Sequence, residues 1–311
     1  MSQRIPTKAD PPRPIMIAVA ADVQSAMTAW WDCLQEQRAS THTLNAYRRD
    51  LAAFLTHLAG QRDQPVRLAD LAALQPDAFD GYCAQCSAQG QAPASLARAL
   101  STLRNFFRFL DSRDLAHNLH IKALANPRIP KPISQTLSRE AAQKTVEVIA
   151  DLSDTPWIAR RDEALFALLY GSGLRLGEAL ALQRGQAPHG ECLAIVGRNN
   201  RQRTVTVLPF VPSLIADYLR ACPYQLDDSQ PLFLGARGGP LNPGVVQRQM
   251  RRLRGLLGLP YGATPQALRR SFAMRLHAEG GDLRVIQALL GHAHLATTQR
   301  CFGAGGRSKR Y

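Results

Sequence analysis

The chain has 311 residues and carries 38 Lys and Arg against 24 Asp and Glu, a formal charge of +14 at neutral pH. Hydrophobic residues at 45% and charged residues at 20% are the balance of a globular protein and exclude an intrinsically disordered one. A basic excess of this size points to a polyanionic partner, of which nucleic acid is the commonest, with a basic ribosome-associated protein or a solvated charge excess as the plain alternatives.

Residues 1–21, rich in proline and charge and without periodicity, read as a flexible tail. The apolar run Ile15 to Ala21 within it is far shorter than the ~20 residues that span a bilayer, and the order of regions in a signal peptide is missing. A helical pattern starts near residue 22, with Trp30, Trp31 and Leu34 at helical spacing. Ser40 or Thr41 is a candidate N-cap for the next helix, which holds Leu44, Tyr47, Leu51, Phe54, Leu55 and Leu58 and stops at Gly60. Arg48 and Arg49 lie on its other face. A shorter helix over about 76–88 ends near Gly90. It contains Cys83 and Cys86, a lone C-x-x-C with no second pair at zinc spacing, which reads as two small helix side chains. Pro93 and Ser95 open another helix with the apolar stripe Leu96, Leu100, Leu103, Phe107 and Leu110. Arg98, Arg104 and Arg108 share that helix, either as solvated surface or as phosphate contacts, and the basic composition favours contacts. These elements make a first domain over 22–115.

Residues 116–136 break the pattern. Pro127, Pro130 and Pro132 among Arg128 and Lys131 make a stiff, basic linker. The second domain, 137–300, opens on Leu137-Ser138-Arg139-Glu140, a cap and first turn. A buried helix runs from about Arg161 to Gly171 and Gly173. Cys192 to Val196 and Thr204 to Leu208 are β-prone runs around the basic turn Gly197 to Arg203, the pattern of a hairpin. Arg201 and Arg203 of that turn are candidate DNA contacts. Helices follow at about 211–221, 243–257, 265–280 and 283–290, and an irregular, glycine-rich tail at 301–311. The fold class expected is mainly α with a small β-hairpin in the second of two domains.

Three segments of the second domain belong together: Tyr170 to Leu180 around Gly173-Leu174-Arg175, Thr264 to Ala273 around Leu268-Arg269-Arg270, and Leu289 to Gln299 around Gly291-His292. Each alone is ambiguous, since an arginine can cap a helix and a histidine can be structural. In this order, with the basic hairpin between the first two, they resemble the tyrosine recombinase (phage integrase) family, and within it the Xer branch. Thr43-Leu44-Asn45-Ala46-Tyr47-Arg48-Arg49-Asp50-Leu51 and the run Ser95 to Leu110 resemble the first-domain signatures, with Thr43 among the candidate DNA contacts. The similarity extends over about 22–300.

The resemblance implies a C-shaped clamp around a double-stranded recombination site. A second Xer-type recombinase, or the chain itself in a tetramer on DNA, completes the assembly. It implies strand cleavage and rejoining for DNA recombination and integration and for chromosome or plasmid dimer resolution at cell division, in the cytoplasm, without metal or cofactor. In such chemistry a tyrosine hydroxyl attacks the scissile phosphate and leaves a 3′-phosphotyrosyl link. Arg175 and Arg269 match the two arginines that meet the developing charge, and His292 matches the histidine on the same phosphate. Glu178 either orients Arg175 from one turn away or faces solvent.

Three positions depart from the family pattern. The hairpin lysine that protonates the leaving oxygen is Arg198, whose guanidinium holds its proton too tightly to be a good proton donor. The histidine before the second arginine is Gln266. The nucleophilic tyrosine is Cys301, whose thiol is shorter and forms a labile sulfur–phosphorus bond. Tyr311, on a glycine-rich tether, is the other candidate nucleophile, and a disordered terminus is the plainer reading of that segment. The substitutions predict impaired strand cleavage. A catalytically inactive, site-specific DNA-binding protein and a frameshifted gene product are the alternative readings.

Overall fold

The computed structural model describes residues 18–128, 137–197, 202–225, 227–299 and 301–302. The chain divides into two units, Met1–Lys131 and Pro132–Tyr311.

The first unit is helical. Helix α1 spans Ala21–Glu36 and α2 spans Thr41–Ala59. Ser40 caps α2 by accepting from the Thr43 amide at 3.1 Å, a bond whose loss typically costs about 1 kcal/mol. Helices α3 (Leu68–Ala73), α4 (Pro76–Ala88) and α5 (Pro93–Ser112) follow, the last two opening on proline at a first-turn position, where its missing N–H has no partner to lose. The α5 stripe buries Leu96, Leu100, Leu103, Phe106, Phe107 and Leu110 against α1, α2 and α4. Within it Phe54 stacks on Phe79, and Phe107 meets both rings edge-on. Full burial of such side chains stabilises by about 1.5–3 kcal/mol each.

Two expectations for this unit change. Residues 18–20 are not tail: Val19 bridges Val66, with Ala20 N–H donating to the Val66 carbonyl at 2.9 Å. The linker also begins later than 116, because Ala116 and Ile121 are buried in the first core and α6 spans His120–Ala123. Asn118 pins this segment. Its amide donates to the carbonyls of Leu71, Ala72 and Leu74, and its Oδ1 accepts from the amides of His120 and Ile121. A single polar side chain satisfies five backbone groups that periodicity does not reveal.

The second unit is built on α8 (Pro156–Ser172), which is buried on every face from Ala164 to Ser172. A helix apolar all round has to be surrounded, and α7 (Arg139–Val148), α10 (Phe210–Ala221) and α12 (Pro265–Ala278) surround it. Helices α9 (Leu176–Leu180), α11 (Pro243–Leu257), α13 (Leu283–Leu290) and α14 (Leu295–Gln299) are the other α-helices among the described residues of this unit. Among the described residues no helix is long and apolar enough to cross a membrane.

Strands β1 (Cys192–Val196) and β2 (Gln202–Thr206) pair antiparallel, with Leu193 opposite Val205 and Ile195 opposite Arg203. The second strand ends two residues earlier than its β-prone run. The Leu208 amide leaves the ladder to donate to the Gly171 carbonyl at the end of α8, and the chain then turns into α10. The period of 2 places Arg203 on the same face as the buried Val205.

Candidate active site

Arg175, Arg269 and His292 come from three distant segments, and the C-terminus of α13 gathers them. That helix ends at Gly291 in the left-handed conformation, φ 59°, leaving its last carbonyls without helical partners and at the negative end of its dipole. Three arginines take three successive carbonyls. Arg203 Nε donates to Leu289 O at 2.9 Å, an Arg269 Nη donates to Leu290 O, and Arg175 Nη2 donates to Gly291 O at 3.2 Å. His292 is the next residue.

Glu178, from α9, is the counter-charge. Its Oε1 accepts from Arg175 Nη1 at 2.7 Å and from Arg203 Nη1 at 3.0 Å. Its Oε2 accepts from the Arg175 amide at 2.8 Å and from Arg203 Nη2 at 3.0 Å, and lies 3.6 Å from Arg269 Nη1. Burial works to raise the Glu178 pKa, but the bonds from Arg203 and Arg175 outweigh it and hold the carboxyl down at about 2. The alternative of a solvent-facing acid is thereby removed: the Glu178 side chain is 8% exposed. Three guanidiniums on one carboxylate leave a positive excess.

Arg269 is the deepest of the three, 1% exposed, and also donates to Gly173 O, at the C-cap of α8, at 2.7 Å. Its Nε is buried with no hydrogen-bond partner among the described residues. Burial, then the Arg175 charge, presses its pKa down to about 9, so it is charged at neutral pH. His292 is pushed down to about 4, by burial first and then by the charges of Arg269, Arg175 and Arg203, which leaves it neutral. Its Nδ1 is 2.9 Å from Oγ1 of the buried Thr298, and a neutral ring so held can offer Nε2 to an anion. Thr298 went unnoticed in the sequence, where one of two adjacent threonines on a short helix carries no signal of its own.

The acid sensitivity of this unit follows. A histidine whose folded pKa lies below its ordinary 6.5 stabilises fully above 6.5 and loses that contribution as pH falls towards 4. Glu178, held below its ordinary 4.5, adds a loss of the same sign from 4.5 down towards 2. Urea midpoints measured from pH 7.5 to 3.5 should fall, and His292→Gln should flatten the part between 6.5 and 4. An unchanged slope in that variant would remove His292 as the cause.

The departing positions separate. Gln266 is exposed in the first turn of α12. Cys301 is buried with Phe272, Ala273, Ile286 and Leu290, its Sγ 3.6 Å from Thr297 O. Arg198, Arg201 and Tyr311 lie outside the described residues.

In the first unit, the Thr43 hydroxyl is 2.9 Å from the Ser40 hydroxyl. Arg48 lies over the Trp31 ring, and the exposed Arg49 donates to Asn45 O. Arg98 makes a two-bond fork to the buried Asp50, 2.9 Å each. Arg104 donates to Asn126 Oδ1 and Leu124 O, and Arg108 is exposed. A further basic face, not singled out in the sequence, is on α11, where Arg248, Arg251 and Arg252 are exposed on a helix without an acid.

The phage integrase family model matches residues 140–302, and the phage integrase N-terminal SAM-like domain matches 27–114. The tyrosine recombinase XerC of Rhodospirillum centenum is 46% identical over 285 residues, 91% of this chain and 84% of that protein. XerC of Mesorhizobium japonicum is 43% identical, covering 91% of this chain and 92% of the relative. The fold is similar to XerH bound to a difH substrate before cleavage, with TM-score 0.66, 21% identity, and 91% of this chain and 81% of that one covered. It is equally similar to a lambda integrase fragment bound to a COC′ core site, with TM-score 0.66, 20% identity, and 93% and 98% coverage. The chain belongs to the phage integrase family. Within that family it is a tyrosine recombinase of the Xer type.

Proposed function

We propose that the chain is a site-specific DNA recombinase of the Xer type that binds and polarises a scissile phosphate, with its own strand cleavage impaired. The observation that carries this is the convergence of Arg175 and Arg269 on the end of α13 beside a neutral His292. Arginine forks match phosphoryl oxygens geometrically, and preorganised charge stabilises a phosphorane-like transition state without a metal. The impairment rests on Cys301. In the family pattern a phenol stands there, and this thiol is shorter and buried, with Sγ near Thr297 O.

The partner proposed is a double-stranded recombination site, occupied together with a second Xer-type recombinase or further copies of this chain. XerH and lambda integrase, solved on their own DNA sites, support that partner class. The substrates proposed are chromosome or plasmid dimers, resolved in the cytoplasm.

The test uses a duplex recovered by selection on the full chain and nicked to trap cleavage. The wild type should bind it with strong salt dependence and leave no denaturant-resistant protein–DNA adduct. Cys301→Tyr should produce one. A wild-type adduct that disappears in Cys301→Ser or Tyr311→Phe would overturn the impairment, and absence of salt-dependent binding would overturn the whole reading.

A further inference from the structure

Arg203 comes from the basic hairpin that the sequence marks as a DNA contact, yet its side chain is 13% exposed and turned inward. Alternation along β2 places it on the buried side with Val205, opposite Ile195. Its donors go to two partners on two other elements. Both Nη atoms grip the two oxygens of Glu178 at 3.0 Å, and Nε takes Leu289 O at 2.9 Å. The guanidinium also fills the space beneath Gly291. A Cβ there would come 3.0 Å from Nη1 and 3.1 Å from Cζ, at a φ of +59°.

These contacts join the hairpin to both halves of the phosphate pocket. Glu178 Oε1 is shared between Arg203 and Arg175, so the Arg203 fork sets the carboxylate that aims Arg175. Gly291, packed on the guanidinium, presents its carbonyl to Arg175 and leads directly into His292. A planar, two-pronged cation is required: one prong per carboxylate oxygen, with Nε left for Leu289.

We infer that Arg203 is a positioning residue for the phosphate pocket, locking Glu178 and the Gly291–His292 turn to the hairpin, and does not itself touch DNA. This rests on the pocket being the scissile-phosphate site. Three of the five Arg203 N–H donors are taken by Glu178 and Leu289 and the side chain is 13% exposed, so its fork faces the pocket wall, and its removal frees Arg175 and His292 to move independently. The hairpin then no longer communicates with the pocket.

The test compares the full-length wild type with Arg203→Met and Arg203→Lys on the selected duplex. A neutral methylphosphonate replaces each central linkage in turn. In the wild type, neutralising the scissile linkage should weaken binding by about 10- to 100-fold, the worth of charge-assisted hydrogen bonds. In Arg203→Met that ratio should collapse towards one, and Arg203→Lys, a point charge without the fork, should recover only a small part. Gly291→Ala, which pushes on the guanidinium from the other side, should lower the ratio with Arg203 still present, and serves if Arg203→Met fails to fold. An undiminished ratio in Arg203→Met or in Gly291→Ala would overturn the inference. So would an equal loss on native and neutral duplexes with a salt slope smaller by about 0.9, the mark of a direct phosphate contact. A wild type indifferent to every neutral linkage would instead overturn the phosphate-pocket reading.

Discussion

Glu178→Ala should lower the thermal midpoint of the second unit by about 6–12 °C. Removing one partner of a buried ion pair strands the other and costs about 3–5 kcal/mol. Here the stranded charges are three guanidiniums, of which Arg269 is 1% and Arg203 13% exposed. Arg175, at 26%, is relieved by water, so the lower end of the range, about 3 kcal/mol, is expected. At about 2–4 °C per kcal/mol for a unit of this size, the midpoint shift follows. Glu178→Gln keeps an acceptor oxygen and loses the charge, and should fall between the two. Thermal unfolding followed by circular dichroism decides it. A shift below about 2 °C for the alanine variant would mean that the arginines are held by the α13 carbonyls alone.

Gly173→Ala should be comparably damaging, for a steric reason. The residue sits at φ +63°, where an alanine pays about 1–2 kcal/mol, and its Cβ would lie 2.4 Å from Cδ1 of the buried Phe272. Overpacking of that kind adds about 1–3 kcal/mol, for a total of about 2–5 kcal/mol. The effect reaches the pocket, because Gly173 O accepts from Arg269. Gly177→Ala is the control. Nothing lies within 4 Å of its Cβ, and alanine in place of a helical glycine stabilises by up to about 1 kcal/mol. Urea unfolding of the two variants should therefore give opposite signs. Equal effects would rule out the contact with Phe272 as the cause.

Several residues show where sequence reasoning stops. Arg98 reads as a candidate phosphate contact on α5, and its fork closes on Asp50, forty-eight positions earlier on α2. Arg203 reads as a candidate DNA contact in a basic turn, and its fork closes on Glu178, twenty-five positions away. Asn118 falls in an apparent linker and is the pin that fastens it to the first unit. In each case the determining partner lies in another element, at a separation that periodicity and local propensity do not encode. The elements themselves were legible because their signals are local. Ser40 and Ser138 cap the helices they precede, and glycines end α8 and α13 where the periodic residues stop.

The basic excess, the two helical units, the hairpin and the family pattern around Arg175, Arg269 and His292 were determined by the sequence alone, because charge, periodicity and motif spacing are properties of neighbours in the chain. Tertiary structure decided what that pattern becomes. The end of α13 offers three successive carbonyls to three arginines from three separate segments, and one buried carboxylate neutralises part of their charge. Orphan carbonyls and a desolvated Glu178 exist only after packing. The arginine–histidine pocket that the sequence names thus becomes a built cationic pocket, the phosphate site proposed above, through partners the sequence does not place beside it.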